Sequence, residues 1–215
     1  MGTQDLEKTA HRVGVFVDIQ NIYYSAKSLY NSKLNYSRIL PFIANGRTIV
    51  VANAYILSKA EIKISDFNNM LYENGFDIQK KLMEFKTRKN HITGVESQHN
   101  TVNWEIGIVI DMLKWAPKLD TIALVSGNGN YIDAIRHLKH ECRVEIYSFD
   151  NSTAGVLKRE ANDFFALDDT DEEGEENLLI PIEDKEEKGT EKGGSVSTTD
   201  EEEREEVEEN VGNKK

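Results

Sequence analysis

The sequence predicts a three-layer α/β domain with a central parallel sheet, followed by an acidic tail. Three observations predict it. Short runs at 12–18, 48–57, 121–125 and 143–149 are rich in β-branched and apolar residues and read as strands buried on both faces. Between them lie stretches with apolar residues near helical spacing, and strands that alternate with helices pair in parallel. The composition then changes at Asp168: 20 of the 38 acidic and 6 of the 26 basic residues fall in 168–215, which leaves 18 acids and 20 bases in 1–167. The net charge of −12 therefore belongs to the tail, at −14, while the domain stands near +2. An acidic total of that origin does not argue against a nucleic-acid partner for the domain.

Taken in order, residues 1–10 are polar, without the apolar core of a signal peptide, and are expected to form a flexible N-terminus ahead of a domain at 11–167. The run 12–18 ends in Asp18, and the chain turns there into a helix over 21–30. A second short helix covers 36–44 and is closed by Asn45 and Gly46. After the strand at 48–57, Ser58 is placed to cap a helix over 59–73, with Ile62, Phe67, Met70 and Leu71 near helical spacing and Asn74-Gly75 as its stop. Residues 76–85 read as a lysine-bearing strand, and 86–91 as a basic loop running loosely to about residue 100.

The helix at 103–115 is expected to turn Ile106, Val109, Ile110 and Leu113 to the core and to end before Pro117. A strand at 121–125, a polar turn at 126–130, a helix at 131–140, a strand at 143–149, a helix at 152–160 and an edge strand at 164–167 complete the domain. Right-handed crossovers bring every strand-to-helix turn to one edge of such a sheet. The tail, 168–215, has too little apolar surface to offset the entropy of ordering and is expected to be disordered. Its exception is the patch at 178–182, which docks on the domain, docks on a partner, or is a stray apolar cluster.

The single cysteine, Cys142, sits at the mouth of an apolar strand and reads as a small buried hydrophobe. No Cys/His pattern suggests zinc, and no run approaches the ~18–20 apolar residues of a membrane span. A soluble, reducing, cytoplasmic setting is expected.

The common edge gathers four groups of polar side chains: Asp18 with Asn21, Glu105 at the start of its helix, Asp111, and Ser126, Asn128 and Asn130 in the turn. Each has a plain structural reading. Asp18 also fits a helix cap, Asn21 a helix start, and Glu105 an acid favoured by the helix dipole. Asn128 and Asn130 fit an ordinary turn, and Ser126 fits its closure. Asp111 lies mid-helix among apolar residues, a costly place for an unpaired charge. Gly127-x-Gly129 lacks the third glycine of a dinucleotide loop.

Three motifs appear in order: Phe16-Val17-Asp18-x-x-Asn21, the run from Asn103-Trp104-Glu105-Ile106-Gly107 to Asp111, and Ser126-Gly127-Asn128-Gly129-Asn130-Tyr131. Together they resemble the NYN domain, the LabA-like branch of the PIN-like nuclease superfamily. The resemblance covers nearly all of 12–167. It implies a metal-dependent ribonuclease acting on single-stranded RNA, with Asp18, Glu105 and Asp111 as ligands of Mg²⁺ or Mn²⁺, the positions of Asn128 and Asn130 in the catalytic group, and Asn21 and Ser126 beside the RNA.

The chemistry explains the acids of that family. Hard cations take oxygen ligands, and a metal-bound water becomes a nucleophile. Crowded carboxylates repel by roughly 4 kcal/mol per pair at 4 Å and an effective dielectric of 20, which a divalent cation relieves. Here Asn103, Asn128 and Asn130 stand where the family has Asp. An Asn offers one neutral oxygen in place of two charged ones. The remaining acids leave one weakly held ion, or none, and a weakened activity. The alternatives are a non-catalytic RNA-binding or regulatory module, paired with itself or with an active NYN protein, and an adaptor that binds a protein through the tail.

Lys80, Lys81, Lys86, Arg88, Lys89 and His91, with Phe85 among them, form the nucleic-acid footprint. Basic side chains contact phosphates without reading sequence, and an aromatic ring can stack on a base. A solvated basic strand edge is the plain alternative.

Overall fold

The computed structural model describes residues 11–58, 66–89, 96–168 and 178–182. The chain runs β1 (Arg12–Asp18), α1 (Ile19–Tyr30), β2 (Ser32–Leu34), α2 (Tyr36–Ala44), β3 (Thr48–Ser58), α3 (Asp66–Glu73) and β4 (Asp77–Leu82). It continues through β5 (Phe85–Lys89), β6 (Glu96–Asn100), α4 (Glu105–Trp115), β7 (Thr121–Val125), α5 (Ile132–Leu138), β8 (Arg143–Ser148), α6 (Gly155–Glu160), β9 (Asp163–Ala166) and β10 (Leu179–Pro181). Six strands form one parallel sheet in the order β4-β3-β1-β7-β8-β9.

The chain therefore starts at the centre, winds outward through β3 and β4, and returns to wind the other way through β7, β8 and β9. The border of β1 and β7 is the switch point, where loops leaving the carboxyl ends diverge and open a crevice. Strand alternation divides the core. Val13, Val15 and Val17 pack with Ile22, Ile39 and Ile43 of α1 and α2 on one face. Phe16, Tyr55 and Leu124 pack with Ile108 and Met112 of α4 and with Ile135 and Leu138 of α5 on the other. Each such side chain contributes about 1.5–3 kcal/mol by leaving water. Asp18 follows Phe16 by two residues and so falls on the α4–α5 face.

Four elements differ from the sequence expectation. In α4 the buried residues are Ile108 and Met112, whereas Ile106 and Ile110 are 73% and 45% exposed. That helix is apolar on nearly every side, so spacing alone did not choose its inward stripe. The basic stretch after β4 is not a loop: β5 pairs antiparallel with β6, with Lys86 opposite His99 and Lys89 opposite Glu96. Both of its faces are polar, so it lacks the period-two signal of a half-buried strand. The helix after Val125 is shorter than expected, with a 3-10 turn at Gly129–Tyr131 ahead of α5, and α6 likewise starts after a 3-10 turn at Asp150–Ser152.

The apolar patch of the tail docks on the domain. Leu179–Pro181 pairs antiparallel with Ser32–Leu34, and Leu178 is buried in the core. β2 itself is too short and too polar to be marked as a strand without this distant partner. The N-terminus 1–10, the expected helix start at 59–65, His91 and most of 168–215 lie outside the described residues. Among the described residues no helix is long and apolar enough to cross a membrane. Cys142 is half-buried, and burial pushes its thiol up to about 11.

Candidate functional site

The crevice at the switch point is built on Asp18. Its Oδ1 accepts the Asn21 N–H at 3.3 Å and so caps α1. Its Oδ2 accepts the Tyr131 hydroxyl at 2.9 Å and the Ser126 hydroxyl at 3.3 Å. The carboxyl is only 9% exposed. Burial raises its pKa, the three donors pull it back, and the charge of Glu105 adds to the rise. The Tyr131 hydroxyl is held as a donor because burial and the Asp18 charge both oppose its ionisation.

The turn after β7 is clamped from both sides. Asn21 Oδ1 accepts the Gly127 N–H at 2.8 Å, and the Gly127 carbonyl accepts the Ala154 N–H at 3.0 Å. A Cβ at residue 127 would lie 2.8 Å from Ser148 Oγ, 3.0 Å from the Ser152 carbonyl oxygen and 3.1 Å from Thr153 Cα. The backbone approach therefore requires glycine. The buried Ser126 accepts the Asn128 N–H at 3.2 Å while donating to Asp18.

The two asparagines face Glu105. Asn128 Oδ1 accepts the Asn130 N–H at 3.0 Å and caps the 3-10 turn. That bond fixes the amide's orientation, so its NH₂ points across the crevice and donates to Glu105 Oε1 at 2.7 Å. The Asn130 NH₂ lies 3.1 Å from both Glu105 oxygens. Glu105 thus ties the turn after β7 to the first turn of α4.

The first turn of α4 is anchored by Trp104. Its indole N–H donates to the Ile56 carbonyl at 2.8 Å, and its ring meets Tyr55 edge-on at 5.1 Å. Lys81 Nζ stands 4.0 Å from the ring centroid and donates to the Asn103 carbonyl at 3.1 Å. A Cβ at Gly107 would lie 2.6 Å from the indole, so glycine there admits the ring. Asn103 itself is exposed.

Asp111 belongs to a different network. Its Oδ2 accepts the Tyr55 hydroxyl at 3.0 Å, its Oδ1 pairs with Lys114 at 3.2 Å, and Tyr55 in turn accepts from Asn53 at 3.2 Å. Hydrogen bonds in the crevice join Asp18 to Asn21, Ser126 and Tyr131, and Glu105 to Asn128 and Asn130, while Asp111 is held by Tyr55, the strand neighbour of Asp18. Tyr131, Tyr55 and Trp104 are the members that sequence reasoning missed. The available signal was chemical: a buried Tyr or Trp needs a partner for its polar atom.

A divalent ion does not fit these residues as they stand. Among the described residues no three His, Cys, Asp or Glu side chains group closely enough to hold a metal ion. Asp18, Glu105 and Asp111 do not assemble as a ligand set. Around Glu105 the neighbours present amide hydrogens, whereas Mg²⁺ or Mn²⁺ requires converging oxygens.

Of the basic residues on β4 and β5, Lys81 reaches the first turn of α4. Lys80, Lys86 and Lys89 are exposed, and Lys81 is half-buried against Trp104. Arg88 lies on β5 opposite Ser97. Phe85 is half-buried.

A doubly wound parallel sheet with polar side chains gathered at its switch point defines an α/β protein with a crevice at the place where open sheets of this kind carry their sites. The chain belongs to the NYN domain family, which matches residues 12–168, and that family is of the PIN-like nuclease type. Its members generally bind RNA and use a divalent metal. The chain is 27% identical over 162 residues to the "Low amplitude and bright protein LabA" of Synechococcus elongatus, covering 74% of this chain and 84% of that one. It shares its fold with the crystal structure of a protein of unknown function from Vibrio parahaemolyticus, at a TM-score of 0.66 and 24% identity, over 80% of this chain and 98% of that one.

Proposed function

We propose that this chain is a single-stranded RNA-binding module of the NYN family that holds its ligand without hydrolysing it. The observation that carries the reading is the closure of Glu105 by Asn128 and Asn130. Amide hydrogens occupy the side of Glu105 on which a metal-dependent hydrolase needs a cation. Asp18 has its oxygens engaged by Asn21, Ser126 and Tyr131.

Without a cation the crevice is acidic and repels a phosphate. The backbone of the RNA is then held by the lysines of β4 and β5, Lys80, Lys81, Lys86 and Lys89. Four lysine–phosphate contacts give a slope of about −3 in log affinity against log salt for a single strand.

The test is a labelled single-stranded RNA, incubated with Mn²⁺ and either this chain or Asn103→Asp/Asn128→Asp/Asn130→Asp. Binding by both, with cleavage only by the triple variant, is expected. Cleavage by the unmodified chain overturns the reading in favour of a weakened nuclease. Absence of binding by either overturns it in favour of an adaptor.

A further inference from the structure

We infer that the switch-point crevice takes an unpaired base bearing an exocyclic amino group, as in cytosine or adenine, and leaves the phosphate backbone outside. This deepens the RNA-binding reading above and rests on it for the source of the base.

Charge decides which part of the ligand enters. Asp18 and Glu105 are the acids of the crevice, and the charge of Glu105 is felt at the Asp18 carboxyl. The lysines on the bordering elements are turned to other groups. Lys81 holds the Asn103 carbonyl and the Trp104 ring, and Lys114 pairs with Asp111. A phosphate in the crevice therefore meets like charge, whereas a neutral base escapes that repulsion.

Hydrogen-bonding capacity decides which base. Glu105 Oε1 accepts from Asn128 at 2.7 Å and from Asn130 at 3.1 Å, but Oε2 accepts only from Asn130, at 3.1 Å. A carboxylate oxygen has two lone pairs, so one on Oε2 is left. On the other side of the same turn, Asn21 Oδ1 accepts the Gly127 N–H at 2.8 Å. That bond fixes the sense of the amide, and its NH₂ has no partner among the described residues. Both side chains are only half-buried, so a ligand reaches them. Asn21 and Glu105 thus hold two consecutive residues, Gly127 and Asn128, from opposite sides. The turn between them is fixed by the Ala154 N–H on the Gly127 carbonyl at 3.0 Å.

A free acceptor and a free donor on one rigid turn match a base edge that carries an amino group beside a ring nitrogen. Cytosine and adenine have such an edge, and a carboxylate accepts from the cytosine amino group. Uracil places a carbonyl oxygen where cytosine has the amino group, and two acceptors repel. The edge is open to side chains only where the base is unpaired, which agrees with a single-stranded ligand.

The test uses the full chain and full-length Glu105→Gln, which keeps the size of the side chain and removes its charge. Amide NMR spectra are recorded with cytidine, with uridine and with inorganic phosphate, and affinities are measured for oligocytidine and oligouridine of equal length. Cytidine alone is expected to shift the Gly127 and Asn128 amides and the Asn21 side-chain NH₂. Oligocytidine is expected to bind about tenfold tighter than oligouridine, and Glu105→Gln to bring that ratio close to one. Uridine or phosphate shifting the same signals as strongly as cytidine, or a ratio unchanged in the variant, overturns the base site. If both oligomers bind alike and cytidine leaves the crevice amides unmoved, the base site falls and the RNA-binding reading stands. If cytidine shifts those amides while neither oligomer binds, the base site stands and the RNA-binding reading falls.

Discussion

Glu105 and Asn128 face each other across the switch-point crevice, with Oε1 of one 2.7 Å from Nδ2 of the other. Asn128 has no freedom to turn its oxygen instead, because that oxygen caps the 3-10 turn through the Asn130 N–H. The contact joins two elements that are distant in sequence. Glu105→Ala removes the acceptor of both amides. The site is partly exposed, so the loss is expected at about 1–2 kcal/mol, measured by urea unfolding. A change below a few tenths would show that the bridge contributes nothing.

Asn128→Asp replaces an attractive contact with two carboxylates at hydrogen-bond distance. At neutral pH this variant is expected to lose on the order of 1–4 kcal/mol. Millimolar Mn²⁺ should then raise its melting temperature while leaving the unmodified chain nearly unchanged. Equal shifts in both proteins would mean that the unmodified crevice already binds the ion.

Tyr131→Phe deletes one of three donors to Asp18 and keeps the ring in the core. The buried carboxylate is left underprovided, at a cost of about 1–3 kcal/mol in unfolding free energy. Ser126→Ala is expected to cost less, since its bond to Asp18 is longer, 3.3 Å against 2.9 Å.

The pH dependence follows from burial of Asp18, which raises its pKa above the ordinary 3.8. Between that value and the raised one, the folded state binds more protons than the unfolded state. Stability contributed by this group is therefore present at low pH and is lost as pH rises through the window. Asp18→Asn removes the titration. The melting temperature of the unmodified chain minus that of the variant should decline from pH 4 upward and then level off. A difference that grows with pH would refute a buried, reluctant carboxylate.

Leu178→Ala weakens the strap that β10 forms on β2. Burial of that side chain is expected to be worth about 2 kcal/mol, limited by the option of the short strand to detach. Amide exchange locates the effect: the Asn35 and Ile182 N–H groups, bonded across the strap, should lose protection before the central strands do.

Much of the fold was legible because β1 and β7 are buried on both faces almost throughout, and β3 and β8 along most of their length, so that they are written as largely apolar runs. Their alternation with helices sufficed for a parallel sheet. Three short motifs, two at strand ends and one at the start of α4, sufficed to expect Asp18, Glu105, Asn128 and Asn130 at one rim. The orientation of α4 was not legible, since Ile106, Ile108 and Ile110 are chemically alike and only packing against Phe16 and Tyr55 selects Ile108. β2, β5 and β6 were not legible either, because polar strands acquire their identity from a partner. A mid-helix acid needs a partner, and for Asp111 that partner is Tyr55, which lies beside Asp18 in the sheet.

The sequence by itself determined the fold class and the rim on which the polar residues gather. These follow from local composition and from the handedness of the chain. Only the tertiary structure decided that Asn128 and Asn130 complete their hydrogen bonds on Glu105, that Tyr131 and Ser126 complete theirs on Asp18, and that the tail returns to pair with β2. Hydrogen-bond partners are chosen by distance and angle across the fold, and a linear sequence carries neither.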